Sequence, residues 1–397
     1  MLDFTFTEEQ EMFRAMVRDF VQKEVAPGYK DRKKISSRPV AEKIVEGQSR
    51  LIGFPEDILK GEAKLGLLGM TTAEKYGGNP QSAVTTGIAI EELAGYDASF
   101  IQYANAMVNF VNLGSEEVKE EWLPAMTRGE KWLNMGATEA EAGSDLGNAR
   151  ATARRDGDYW ILNGEKNRVS SCFDGDGMIA LCRTDLNSRR LSPFLVTYDL
   201  PGVTRSGMDD ICPGEYAGIV AMEDVRVPHK YLLGDEEGRG FRTAMETFDG
   251  MRAEVGLTCM RIAQMSLDET IEYVKQRVAF GRPIAKFEGV SFTIAEAATY
   301  IEMGRWLAYR TLWMQDQGIR TTKYSSMIKW WAPRTAEWII HECLLLHGHY
   351  GYNADMPFGE RLFGPAGLRS QIGDGTQHIQ KMIIARELMG REYLPYK

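Results

Sequence analysis

The residues best suited to chemistry in this 397-residue chain gather in one stretch, Ala137 to Ser171, which reads ATEAEAGSDLGNARATARRDGDYWILNGEKNRVSS. A small-residue loop, Ala142-Gly143-Ser144-Asp145, opens it. Two strand-like runs follow, joined at Asp156-Gly157, and the stretch closes on Asn163-Gly164 and the hydroxyl pair Ser170-Ser171. Gly143 has no Cβ to hold a ligand away from the backbone, and Thr138, Ser144 and Ser170 offer hydroxyls. That set suits an extended polar cofactor carrying a pyrophosphate. Short Gly/Ser loops also occur in exposed polar hairpins, so these residues alone leave both readings open.

Other reactive side chains narrow the chemistry. His347 and His349 flank Gly348 with no cysteine or carboxylate at metal spacing, which reads as loop histidines and no metal site. Cys172, Cys182, Cys212, Cys259 and Cys343 are scattered, with no CxxC pair. Such a set points to buried thiols in a reducing compartment rather than a disulfide framework. The net charge of -9 and pI near 5.3 argue against a nucleic-acid surface. No apolar run reaches the roughly 18 residues of a membrane span. The N-terminal MLDFTFTEEQEMF resembles neither a signal peptide nor a transit peptide. The expectation is a soluble, cytoplasmic protein with no nucleic-acid or membrane partner.

The elements that must position these residues follow from periodicity. Thr7-x-x-Gln10 is a capping-box pattern, and Met12, Phe13, Met16, Val17, Phe20 and Val21 recur behind it at helical spacing. A helix is expected near Val40–Ile52, two more around Gly95-Tyr96-Asp97, and another after Ser115. Residues 1–130 therefore read as an N-terminal α-helical domain. From Lys131 the period shortens: YWILNG, MIALCRT, PFLVTYDL and AGIVAMEDVRV are short apolar runs between Asn-Gly, Asp-Gly and Pro-Gly turns. Residues 131–240 read as a middle β domain, a small barrel or sandwich. Residues 241–397 return to long helical patterns with short links, as in a four-helix bundle. The fold class is α+β.

This order of domains, with a set of motifs in sequence, resembles the acyl-CoA dehydrogenase family over almost the whole chain. The motifs are Thr138-Glu139-x-x-Ala142-Gly143-Ser144-Asp145, Leu162-Asn163-Gly164-x-Lys166 and Val225-x-Val227-Pro228. They continue with Leu233-Gly234, Gly238-x-Gly240-Phe241, Arg277-x-x-Phe280-Gly281-x-Pro283, Gly351-Tyr352, Asp374-Gly375-Thr376 and Ile384-Ala385-Arg386-Glu387. The resemblance implies an FAD-dependent oxidoreductase acting on a CH–CH group of a CoA thioester. A base takes the α-proton while flavin N5 accepts the β-hydride. It implies flavin contacts from Thr138, Gly143, Ser144 and Ser170 of one subunit, from Arg277 and Phe280 of a neighbour, and from Thr376 and His378. It also implies a homotetramer and an electron-transfer flavoprotein as electron acceptor.

The resemblance places the base at Asp374, in QIGDGT, where many relatives have glutamate. Read from its neighbours alone, Asp374 could instead be a helix N-cap ahead of Gly375-Thr376. The shorter side chain, shared with some relatives that act on alicyclic acyl-CoAs, implies a bulky or ring-bearing acyl group. A second base position used in some subfamilies, just before Arg252, holds Met251. Arg252 would lie near the base and the CoA thioester, Glu254 would be structural, and Gln102 and Asn105 would touch substrate. Arg168 stands where relatives have tryptophan, and His378 and Glu288 where they have glutamine. Two other classes of function stay open: a family relative with a different flavin reaction (decarboxylating, desulfinating, enoyl-CoA reducing or oxidase), and a non-catalytic flavoprotein.

Overall fold

The computed structural model of the protein describes residues 5–31, 56–96, 100–209, 211, 216–234, 237–238 and 240–394. The helix expected near Val40–Ile52 lies outside these residues. The α-helices are α1 (Glu8–Phe20), α2 (Glu56–Lys64), α3 (Ala83–Leu93), α4 (Phe100–Val111) and α5 (Glu116–Thr127). After the strands come α6 (Gly240–Gln276), α7 (Glu288–Asp316), α8 (Thr322–Leu346), α9 (Phe358–Phe363), α10 (Leu368–Ile372) and α11 (Gln377–Met389). The strands between are β1 (Leu133–Gly136), β2 (Thr152–Asp156), β3 (Tyr159–Ser170), β4 (Gly177–Cys182), β5 (Ser192–Thr197), β6 (Val203–Asp209) and β7 (Tyr216–Pro228). A hairpin of β8 (Val278–Ala279) and β9 (Arg282–Pro283) follows α6.

The chain groups into two compact units that interleave in sequence: residues 1–21, 82–98 and 249–397 form one, and residues 22–81 and 99–248 the other. The first unit is helical. The capping box at Thr7 forms as the spacing predicts, with Thr7 Oγ1 accepting from Gln10 N and Gln10 Oε1 accepting from Thr7 N. Its core is a single cluster that runs from Ile88 through Leu257, Met260 and Ile301 to Leu312, Ile328 and Ile340. Gly87 makes the approach of α3 possible: a Cβ there would stand 2.4 Å from Leu312 Cδ1. The start of α3 is capped from α7, because Asp316 accepts from Ala83 N at 2.6 Å and Val84 N at 3.1 Å. The C-terminal helices are four longer ones, α6, α7, α8 and α11, with the short α9 and α10 inserted before the last.

The second unit carries the β structure, with α5 capped by Ser115 as expected. β1 runs parallel to β4, which pairs antiparallel with β5. The other sheet is antiparallel in the order β2-β3-β7-β6. β4 is buried at every position, which its unbroken MIALC run required. Trp160 of β3 meets Phe194 of β5 edge-on at 5.3 Å between centroids, so the two sheets touch through aromatic rings.

One ion-paired cluster ties α3 to α7 inside the helical unit. Glu91 is buried, and its carboxylate accepts from Arg305 Nε at 2.5 Å, Arg305 Nη2 at 3.1 Å and the Tyr309 hydroxyl at 2.7 Å. Burial alone would raise the carboxyl, but these bonds outweigh it and hold Glu91 below its ordinary 4.5. Glu91→Ala removes the carboxylate shared by Arg305 and the Tyr309 hydroxyl, leaves half-buried Arg305 with Glu302 at 3.7 Å, and is expected to cost about 1–3 kcal/mol, read as a lowered thermal midpoint. Because the folded-state value is depressed, the cluster stabilises above about pH 4.5 and weakens as pH falls below it. A wild-type melting temperature in Glu91→Ala would remove the cluster from the account of stability.

Candidate functional site

Within the β-containing unit, Thr138 and Ser170 come to one end of the strands through two pins, one between backbone groups and one from a side chain to the backbone. β1 leads directly into Thr138, whose carbonyl accepts from Asn167 N at 2.8 Å. β3 ends at Ser170, whose carbonyl accepts from Asn134 Nδ2 at 2.9 Å. The Thr138, Ser144 and Ser170 hydroxyls make no hydrogen bond among the described residues, and neither do the N–H groups of Gly143 and Ser144. A Cβ at Gly143 would meet nothing within 4 Å. Its value to a ligand is therefore open space beside the backbone. Free hydroxyls, free amides and a missing side chain form a donor set that fits the polar parts of FAD. Asp145 is held by Arg189.

The loop gets its shape from a buried pair that the sequence reading quoted in its motifs without giving it a role. Lys166 is fully buried, and its Nζ donates to Glu139 Oε1 and to the Leu181 carbonyl, both at 2.6 Å. Glu139 also accepts from Arg150 N at 2.5 Å and Ala151 N at 3.0 Å. Glu139 and Ala142 exchange backbone bonds at 3.1 Å, which closes the turn ahead of Gly143. Burial pushes the Glu139 carboxyl up, Lys166 and the two amides pull it down, and the net position is below 4.5. Arg168, the departure from tryptophan, sits at φ 56 where β3 slips register between Lys166 and Val169. Its side chain is exposed, and Ser171 follows at φ 53.

On α4, Gln102 and Asn105 are both buried. Asn105 Oδ1 accepts from Thr71 at 3.4 Å, while its Nδ2 has no partner.

The helical unit holds the second group. Asp374 is half-buried at φ 54 in the turn between α10 and α11. The N-cap of α11 is Thr376, whose hydroxyl accepts from Ile379 N at 3.4 Å. The capping reading of Asp374 is thus corrected: the cap falls two residues later, and the Asp374 carboxylate has no hydrogen bond or ion pair among the described residues. His378 is exposed in the first turn of α11. Arg252 is buried, bonds Asp249 Oδ1 at 2.6 Å, and brings Nη2 to 3.6 Å from where a Gly375 Cβ would stand. Burial pulls the Arg252 guanidinium below its usual value against Asp249 and Asp374. Glu254 is buried with Oε2 unpaired, and burial pushes it up to about 8.

Arg277 and Phe280 flank the β8–β9 hairpin. Phe280 is 95% exposed at φ 51, and Arg277 borders a groove with Tyr273, His349 and Tyr350. His347 is packed, stacked on Tyr273 at 4.2 Å with Nδ1 on the Cys343 carbonyl at 2.8 Å. Cys172, Cys182, Cys259 and Cys343 are buried free thiols. No helix among the described residues is long and apolar enough to cross a membrane.

Comparison with known proteins agrees with this architecture. Residues 7–130, 134–213 and 238–389 match the acyl-CoA dehydrogenase N-terminal, middle and C-terminal domains. The chain is 33% identical to a 3-(aryl)acrylate reductase of Clostridium sporogenes (strain ATCC 15579), over 97% of this chain and 99% of that protein. An acyl-CoA dehydrogenase structure from Geobacillus kaustophilus is 32% identical, with a TM-score of 0.87 over 98% of this chain and 100% of that one. A glutaryl-CoA dehydrogenase from Mycobacterium smegmatis in complex with FADH2 is 25% identical, with a TM-score of 0.85 over 97% and 96%. The chain belongs to the acyl-CoA dehydrogenase family. It is an oxidoreductase of that family, and its cofactor is FAD.

The buried pair gives the site a testable support. Lys166→Met strands Glu139 and is expected to cost about 3–5 kcal/mol. Glu139→Gln should purify with a lower ratio of flavin absorbance to protein, since the turn before Gly143 loses its charge. The depressed Glu139 carboxyl makes this support present above about pH 4.5 and lost on acidification below it. Full flavin content in both variants would show that the loop holds its shape without the pair.

Proposed function

We propose that the protein is an FAD-dependent acyl-CoA dehydrogenase in which Asp374 removes the α-proton of a CoA thioester. The observation that carries this reading is the Asp374 carboxylate itself: half-buried, unengaged among the described residues, and presented on left-handed backbone beside Arg252. A carboxylate used as a cap or an ion-pair partner would be occupied; this one is available to a substrate proton. FAD, when bound, supplies the two-electron acceptor. Thr138, Gly143, Ser144 and Ser170 hold it in this reading, with Thr376 and His378 beside it. The unpaired Asn105 amide, with Gln102, supports an acyl pocket with a polar wall. Aspartate is one methylene shorter than glutamate, which favours a bulky or alicyclic acyl group that brings its α-carbon closer.

The exposed Phe280 and neighbouring Arg277 support the family's homotetramer, with each hairpin serving a flavin held by a neighbour. An electron-transfer flavoprotein is the proposed acceptor and the cytoplasm the proposed compartment. A second reading, reduction of an α,β-unsaturated acyl group, is favoured by the likeness to the 3-(aryl)acrylate reductase of Clostridium sporogenes.

Anaerobic mixing of the purified flavoprotein with straight, branched and alicyclic saturated acyl-CoAs tests the first reading. Flavin bleaching is expected, fastest with a ring-bearing acyl group; no bleaching by any saturated thioester would sink it and leave the reductase. Asp374→Asn should keep its flavin yet lose at least about 10²-fold in reduction rate, on the order of what a lost general base removes. Asp374→Glu should also be slower on the best substrate, because a reach error of roughly 1 Å can cost about 10²-fold. A faster Asp374→Glu would show the pocket is set for the longer side chain.

A further inference from the structure

α8 carries one lysine on its buried face, Lys329, in the apolar run SSMIKWWAP. It is 1% exposed. Its Nζ donates to the Ser370 carbonyl at 2.5 Å and to the Gly373 carbonyl at 2.8 Å. Those carbonyls bracket the end of α10, where backbone acceptors have no partner inside the helix. The next residue is Asp374, forced to φ 54, and Gly375 follows at φ 92. An aspartate on left-handed backbone costs energy and persists only where its surroundings fix it. Downstream, Gln380 Nε2 holds the Gly375 carbonyl at 3.0 Å and Thr376 caps α11. The peptide carrying Asp374 is thus clamped on both sides.

The charge of Lys329 is as informative as its bonds. The other buried cation here, Arg252, is neutralised by Asp249, which Thr322 and Ser325 also support. Lys329 has no ion pair among the described residues. Burial draws its ammonium below its usual value; Asp374 and Cys259 oppose that, and Arg252 adds to it. Glu337 of the same helix is turned to Gln371 at 2.6 Å.

We propose that Lys329 is the positioning residue of the base: through Ser370 and Gly373 it fixes the backbone that presents Asp374. The proposal rests on the reading of Asp374 as base. Lys329 touches no reacting atom, so its loss acts through where Asp374 stands.

The test uses the holoenzyme and the saturated acyl-CoA that reduces the wild-type flavin fastest. Lys329→Met removes the donors; Lys329→Gln keeps an amide donor on a shorter side chain; Lys329→Arg keeps charged donors. Lys329→Met and Lys329→Gln should keep their flavin and lose roughly 10- to 100-fold in kcat with KM little changed. Lys329→Arg should recover most of that kcat. If Lys329→Met does not fold, Lys329→Gln against Lys329→Arg decides. A wild-type kcat in Lys329→Met, or in Lys329→Gln where Lys329→Met does not fold, overturns the proposal while an inactive Asp374→Asn keeps the base. A fully active Asp374→Asn removes the base reading itself.

Discussion

A lysine ammonium taken out of water must place its charge and its three donors somewhere, and in this protein that requirement shapes a turn in each of the two units. Lys166 in the β-containing unit spends its donors on the Leu181 carbonyl and Glu139. Lys329 in the helical unit spends its own on the carbonyls of Ser370 and Gly373. The Lys329 bonds land at the end of α10, where backbone acceptors lack helix partners, while those of Lys166 go to a carboxylate and to a carbonyl of β4. One lysine holds the loop that opens beside Gly143; the other holds the turn that carries Asp374. The hydrophobic cores could form without these turns, but the turns could not hold their shapes without a buried donor.

Backbone strain marks the same places. The described non-glycine residues with positive φ are Arg168, Ser171, Asp224, Phe280 and Asp374. Only Asp224 lies away from a candidate contact. Arg168 and Ser171 bracket Ser170, Phe280 is the hairpin tip, and Asp374 is the proposed base. Such conformations survive where surrounding bonds over-determine them, which links the strain to the clamps. Arg168 stands at a register slip of β3 on left-handed backbone with an exposed side chain, and nothing in the structure explains its replacement of tryptophan.

Most of the architecture was legible because its signals are local. The capping box at Thr7, the Ser115 cap and the buried MIALC strand each follow from a few neighbouring residues. Motif order made the family legible. What could not be read depends on distant partners. The Thr7 pattern announces a cap, but nothing next to Asp374 says that Thr376 will take the capping role instead. Lys329 in SSMIKWWAP looks like a lone charge on an apolar helix, and its partners lie about forty residues later in a turn. The one available signal was its rarity, since a lysine is seldom fully buried without a structural reason. The pairing of Glu139 with Lys166 was hidden in the same way, by β2 and most of β3 between them.

The aspartate also bears on which direction the enzyme runs. A carboxylate that takes an α-proton in oxidation must, by microscopic reversibility, return it as an acid in reduction. Dehydrogenation and enoyl-CoA reduction therefore ask the same things of Asp374: a short reach and an unengaged carboxylate. The Lys329 clamp would set that reach for either direction. The difference between the two reactions lies in the potential of the electron partner and in how tightly the saturated and unsaturated thioesters bind. Residues that choose direction therefore belong to the acyl pocket and the partner surface, while the clamped turn is common to both.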